Sequence, residues 1–116
     1  METSDAVAAF SALGQPGRLD VLRHLIQAGP GGRAAGEIAA SLGIRPNTLS
    51  SALGILSQAG LVSSHRDGRR IVYSARMEAI AALVQWLVAD CCGGDAAACA
   101  PMTRALTCCP PGRAAP

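Results

Sequence analysis

No cysteine occurs among the first ninety residues of this 116-residue chain, yet five follow from Cys91 onward. Thiol chemistry is therefore confined to the C-terminal part of the molecule. Aromatic residues are nearly missing as well: one Phe, one Trp and one Tyr. Since half of the residues are apolar, the core has to come from Leu, Ile, Val and Ala, which suits packed helices. The length suits a single domain with a core of modest depth. No apolar run reaches the roughly 18 residues of a membrane span. The N-terminal stretch "METSDAVAAF" lacks the basic region and long apolar run of a secretion signal. These two absences point to the cytoplasm, where thiols stay reduced. There, five cysteines read as ligands or reactive groups rather than as a disulfide framework.

A net charge of +2 carries little information, but its distribution does. Between Arg45 and Arg76 stand five arginines and one acid, Asp67, a local excess of +4 on a nearly neutral chain. Such a patch is the footprint of a polyanionic partner when a suitable fold presents it.

The punctuation predicts that fold. Ser4 reads as the N-cap of a short helix through Leu13, ended by Gly14. Pro16 starts a second helix to about Ala28, with Leu19, Leu22, Leu25 and Ile26 at helical spacing. "GPGGR", residues 29 to 33, reads as a loop. A third helix spans Glu37 to Leu42 and stops at Gly43. Pro46 opens a fourth, with Leu49, Leu53 and Leu56 on one face, ending at Gly60. The period then changes: "LVSSHR" and "RRIVYS" flank Asp67-Gly68, a two-residue hairpin signal. The fifth helix, "MEAIAALVQWLVAD", has only Glu78, Gln85 and Asp90 as polar residues. A helix apolar nearly all round needs cover on more than one side, so it is expected to pack on its own domain and on a second copy. The first helix, "DAVAAFSAL", is expected to join that homodimer interface. The expected architecture is mainly α with a small β-hairpin. Residues 1–90 form a DNA-binding and dimerisation domain, and 91–116 a cysteine-containing segment whose Pro-Pro and small residues predict a mobile end.

Helix, tight turn, helix and a two-stranded ribbon make a winged helix-turn-helix. Small Ala39, then Gly43, then Leu49 fall where the crossing, the turn and the second helix need them. Such a unit lays its second helix in the major groove of double-stranded DNA. Here that helix begins at Pro46, with Asn47, Thr48, Ser50 and Ser51 outward and Leu49 inward. Asn pairs with adenine, and hydroxyls meet bases or phosphates. Arg66, Arg69 and Arg70 flank the hairpin tip, and Arg45 precedes the helix, so the basic patch coincides with the element that would touch DNA.

Three stretches, "ALGQPGRLDVLRHL", "GEIAASLGIRPNTLSSALGILSQAGLV" and "RDGRRIVYS", resemble the ArsR family of dimeric winged-helix repressors. The resemblance covers roughly residues 6 to 90 and implies a homodimer, a palindromic operator, and release of DNA when a metal or metalloid binds. The chain departs from the family's pattern at several points. The Cys-x-Cys that many arsenic sensors carry at the third helix is replaced by Arg33-Ala34-Ala35-Gly36. The His residues that zinc and cobalt sensors use on the last helix are missing. Ala52 and Gly54 stand where the recognition helix often carries His and Lys.

The ligand site must then lie among the late cysteines. Neighbours on a helix diverge by about 100 degrees, so Cys91 and Cys92 serve one centre only if the helix unwinds at Gly93-Gly94. A loop over residues 93 to 98 would then return Cys99 to the pair. Three thiolates with no imidazole nearby suit trivalent As(III) or Sb(III) as effector, with no permanent cofactor. The arrangement resembles the arsenite site of some ArsR-family repressors. Zinc prefers four ligands, and Cys108 or Cys109 offers a fourth, so zinc or cadmium stays open. A disulfide among the same thiols, as in a redox switch, stays open too. His24 and His65 are assigned to the core or the wing. A thiol-dependent reductase is disfavoured: its nucleophile sits at a helix N-terminus, whereas Cys91 and Cys92 follow a helix C-terminus, where the dipole opposes thiolates. No Gly-Lys phosphate motif occurs either, and the chain is expected not to be an enzyme.

Overall fold

The computed structural model describes residues 1–89 and 96–106. Its elements run α1 (Thr3–Leu13), α2 (Pro16–Ala28), β1 (Arg33–Ala34), α3 (Ala35–Leu42), α4 (Pro46–Gln58), β2 (Val62–Asp67), β3 (Arg70–Ala75), α5 (Met77–Val88) and α6 (Ala96–Ala105). The chain divides into two compact units, Met1–Trp86 and Leu87–Pro116. No helix of the described residues is long and apolar enough to cross a membrane.

The first unit is built around aliphatic side chains, as the scarcity of aromatics requires. Val21 and Leu25 of α2, Ile38 of α3, Leu49 and Leu56 of α4 and the following Leu61 are fully buried. Ala6, Ala9 and Ala12 bring α1 close to this cluster because they are small. The α4 stripe Leu49, Leu53 and Leu56 is buried as the spacing predicts. In α2 the buried stripe is Val21, Leu22 and Leu25, while Leu19 and Ile26 are exposed. Seven residues apart, those two lie on one side of the helix, about 100 degrees round from the buried stripe.

Several boundaries differ from the sequence reading. The α1 N-cap is Glu2 rather than Ser4. Its backbone N–H donates to Asp5 Oδ2 at 3.0 Å, so the acid three residues on marks the helix start. α3 begins at Ala35 rather than Glu37, because Glu37 reaches back as the third helical residue and accepts from Ala34 N at 3.0 Å. The expected loop at residues 29–33 ends in a strand: β1 pairs with β3 at Arg33↔Tyr73 and Ala34↔Val72, giving an antiparallel sheet of order β1-β3-β2 instead of a hairpin alone.

The hairpin turn lies one residue later than predicted. Asp67 pairs with Arg70, leaving Gly68 and Arg69 as the loop. The predicted turn would have set Arg66 opposite Arg69. The observed register sets Asp67 opposite Arg70 and Arg66 opposite Ile71, replacing a like-charge pair with an opposite-charge pair. Gly68, at φ 64, takes the first loop position, where a two-residue hairpin needs positive φ.

α5 supplies one fully buried residue, Leu83, which belongs to the core and not to a free face. Its exposed apolar residues are Met77 and Leu87, and those of α1 are Val7 and Phe10. In the second unit, α6 runs through the region expected to be a loop and the start of a mobile tail. Ala96, Ala97, Ala98 and Ala100 carry the highest helix propensity, and the helix continues through Pro101. The remainder of the predicted mobile end, residues 107–116, lies outside the described residues.

Gly32 is where β1 joins the sheet. It holds φ 71, and a Cβ there would stand 2.3 Å from the Tyr73 carbonyl oxygen. Gly32→Ala is expected to lower stability by about 2 kcal/mol or more, from left-handed backbone strain plus the clash. Gly36→Ala, whose Cβ would meet nothing within 4 Å, serves as the control and should be neutral or stabilising by up to about 1 kcal/mol. Urea unfolding of both variants measures the difference.

Candidate nucleic-acid interface

The helix-turn-helix consists of α3 and α4 joined at Gly43, which closes α3 in the left-handed conformation. Ile38 on α3 and the leucine stripe on α4 seal the inner faces together. Pro46 occupies the first turn of α4, where its missing N–H costs nothing. The Arg45 carbonyl starts the helix by accepting from Leu49 N at 3.0 Å. Leu49, only 1% exposed, points inward, so the outward positions of that turn fall to Asn47, Thr48, Ser50 and Ser51, all exposed. Arg45 is exposed at the helix entrance. The structure thus presents every residue predicted for the recognition helix on one solvent-facing turn. Gly54 also faces open space, leaving that part of the helix without a long side chain.

Thr48 and Ser51 line a groove of about 290 Å³ together with Gln15, Gly17, Arg18, Ile44, Ala52 and Ile55. The N-terminal turn of α2 therefore stands beside the recognition helix. Gln15 caps that turn, its Oε1 accepting from Arg18 N at 2.8 Å. The Arg18 guanidinium ties α1 to α2: Nε donates to the Ala12 carbonyl at 2.6 Å and Nη2 to the Ser11 carbonyl at 3.4 Å. Sequence reasoning missed this role, since nothing in the local pattern shows which carbonyls a surface arginine will cap.

On the wing, Arg66 and Arg69 are exposed, Arg69 within the turn itself. Arg70 is engaged: its Nη2 lies 2.6 Å from Glu37 Oε1 on α3. Glu37 was absent from the predicted site, although an acid three residues after Ala34 is the sequence signal for a reach-back at a helix start. The Ala34 N–H holds the Glu37 carboxyl below its ordinary range, and the guanidiniums of Arg70 and Arg33 add to that effect. His65 is exposed on β2, whereas His24 is partly buried in α2 with its Nε2 unpartnered.

Cys99, predicted to lie in a loop, is half-buried on α6 and disulfide-bonded. The remaining predicted ligands, Cys91 and Cys92, and the Cys108-Cys109 pair lie outside the described residues. Among the described residues, no group of three or more His, Cys, Asp or Glu is placed to hold a metal ion.

A helix-turn-helix domain model matches residues 13–65. An HTH-type transcriptional regulator of Mycobacterium tuberculosis is 36% identical over 76 residues, which are 65% of this chain and 64% of that protein. The chain thus matches a little under two thirds of that relative's length. A "probable mercury resistance operon repressor" of Streptomyces lividans is 35% identical over 100 residues, 86% of this chain and 71% of the relative. Among solved structures, the homodimeric winged helix-turn-helix DNA-binding domain of a possible ArsR-family transcriptional regulator from Mycobacterium bovis superposes with a TM-score of 0.61. It is 33% identical and covers 75% of this chain and 81% of its own. A "possible transcriptional regulator for arsenical resistance" gives a TM-score of 0.58 at 25% identity, covering 66% and 77%.

The lowered pKa of Glu37 has a definite sign. A depressed carboxyl adds stability above its unfolded value, near 4.5, and loses it as pH falls through the folded value. Followed by NMR, the Glu37 carboxyl should titrate below 4.5. In Arg70→Gln its midpoint should rise but stay depressed, because the Ala34 N–H is the larger cause.

Proposed function

Because the chain belongs to the ArsR family of winged helix-turn-helix transcriptional regulators, a family of regulators and not of enzymes, we propose that it represses transcription as a homodimer on double-stranded operator DNA. In this reading it releases the operator when trivalent arsenic or antimony binds its C-terminal thiols. The observation that carries the DNA half is the turn at Pro46. Burying Leu49 leaves Asn47, Thr48, Ser50 and Ser51 as the outward surface, and Arg66 and Arg69 of the wing are exposed as well. Asn and Ser side chains read base edges, and the arginines and Arg45 neutralise phosphates. Exposed Val7 and Phe10 on α1 and Met77 on α5 supply apolar surface for a second copy. The M. bovis neighbour is itself homodimeric.

The effector reading is supported by thiol chemistry and by kinship. All five cysteines fall after residue 90. One relative is named for mercury resistance and one structural neighbour for arsenical resistance, and both elements are strongly thiophilic. Cys91, Cys92 and Cys99 make a three-sulfur donor set suited to a trivalent pyramidal centre. The Cys99 disulfide is not a thiolate donor, so this binding mode requires the reduced protein. That same disulfide favours a second reading, in which oxidation of these thiols is the signal and no metalloid takes part.

Two measurements separate the readings. With a duplex enriched from a random library, Arg69→Ala should weaken binding to all sequences and flatten the salt dependence by about 0.9 unit per lost phosphate contact. Ser51→Ala should act mainly on the enriched sequence. An unchanged affinity and slope in Arg69→Ala would remove the wing from the interface.

For the effector, the reduced protein is titrated on that duplex with arsenite, antimonite, zinc, cadmium, mercury and peroxide. Arsenite should release wild type but not the Cys91→Ser, Cys92→Ser double variant, and Cys99→Ser should lose most of the response. Release by peroxide alone would establish the redox reading, and release of the double variant by arsenite would place the sensor elsewhere.

A further inference from the structure

Arg70 stands in the basic patch and looks like one more phosphate ligand, but the structure gives it another partner. Its Nη2 lies 2.6 Å from Glu37 Oε1, joining residues 33 apart in sequence. The carboxylate is held before Arg70 arrives, because the same oxygen accepts from Ala34 N at 3.0 Å. Glu37 sits in the first turn of the first helix of the helix-turn-helix. Arg70 opens the strand that leaves the wing turn.

We propose that Arg70, clasped by Glu37, is a positioning residue that sets the angle of the wing against the helix-turn-helix, and that Arg66 and Arg69 are the wing's phosphate ligands. The proposal rests on the DNA-binding reading above and goes beyond it.

Three features support it. First, the ladder joining the wing to the body is short, with only Arg33↔Tyr73 and Ala34↔Val72. These pairs and the buried Val62 and Val72 hold the ribbon at its base, and the ion pair adds a fastening two residues nearer the tip. Second, the fastening is flanked by a groove of about 620 Å³ between Ala34–Glu37 and Arg69–Tyr73. Ile71, which lines this groove beside Arg70, is exposed. Third, moving Arg70 to a phosphate would break its contact with Glu37 and leave that carboxylate with only the Ala34 N–H and the more distant charge of Arg33. Both partners are about half exposed, so the pair adds little to stability. Its effect is on orientation, and therefore on binding that depends on simultaneous docking of helix and wing.

The test uses the full chain, a duplex enriched by the wild type from a random library, and a random-sequence duplex. Binding is measured across salt concentrations for wild type, Glu37→Gln, Arg70→Gln, their double variant and Arg69→Ala. Each single variant should weaken binding to the enriched duplex by roughly threefold to tenfold, and the double variant should be no weaker than the poorer single. The salt slope should match wild type in these three and fall only in Arg69→Ala. Arg70→Lys guards against misfolding of Arg70→Gln. It keeps the positive charge, so a reduced slope in Arg70→Gln that Arg70→Lys restores marks a phosphate role, whereas a wild-type slope in both variants marks a positioning role. A slope reduced by about 0.9 unit in Arg70→Gln, or tighter binding in Glu37→Gln, overturns the proposal. Failure of the wild type to enrich any duplex overturns the DNA reading itself, a distinguishable result.

Discussion

Burial of one leucine stripe governs the arrangement of this molecule. Leu49, Leu53 and Leu56 must leave water, and the surface that receives them is made by Val21, Leu25 and Ile38. Once α4 is rotated to seat that stripe, the orientation of its other side chains is no longer free. At 100 degrees per residue, placing Leu49 inward turns Asn47, Thr48, Ser50 and Ser51 outward. The hydrophobic effect, which carries no directional information of its own, thus selects the polar surface available for recognition. A core without large aromatics suits this task, because alanines on α1 and aliphatic side chains elsewhere let the short helices approach closely.

Electrostatics acts on a second level. The wing is a ribbon of two strands, a unit of marginal stability by itself, and its charge is mostly positive. The fold attaches it through Gly32, which permits the backbone approach to Tyr73, through the two-pair ladder of β1, and through the carboxylate of Glu37. That carboxylate serves two donors with one oxygen, the Ala34 N–H and the Arg70 guanidinium. A helix start and a wing are thereby fixed with respect to each other by a single side chain. The same logic of charge fits the hairpin register, in which Asp67 faces Arg70 and Arg66 faces Ile71 rather than Arg69.

Separation of roles along the chain is the other organising feature. The unit that carries the helix-turn-helix contains no cysteine, so it offers no thiolate to a soft metal or to disulfide formation. Thiols are confined to the segment after α5, the helix whose apolar residues point to both the core and solvent. α5 also contributes Leu83 to the core.

How much of this was legible in the sequence depends on the range of the forces involved. Helices α2, α4 and α5, the turn at Gly43 and the outward face of α4 were readable because periodicity, proline and glycine act over a few neighbouring residues. The three-stranded sheet was not, because two residues of β1 carry no periodic signal and become a strand only when β3 lies alongside. The one-residue shift of the hairpin turn followed from charges facing each other across the ribbon. The helix around Cys99 was not legible, because Gly93-Gly94 reads as a hinge and the alanines that follow carry no period of their own. The roles of Arg18 and Glu37 were equally hidden, since each is defined by a partner brought near only by folding. The sequence by itself determined helices α2, α4 and α5, the turn at Gly43 and the apolar face of α4. Tertiary structure alone decided which arginine is spent on holding the wing and which are left facing solvent, because an ion pair between residues 33 apart exists only after the chain has closed the loop between them.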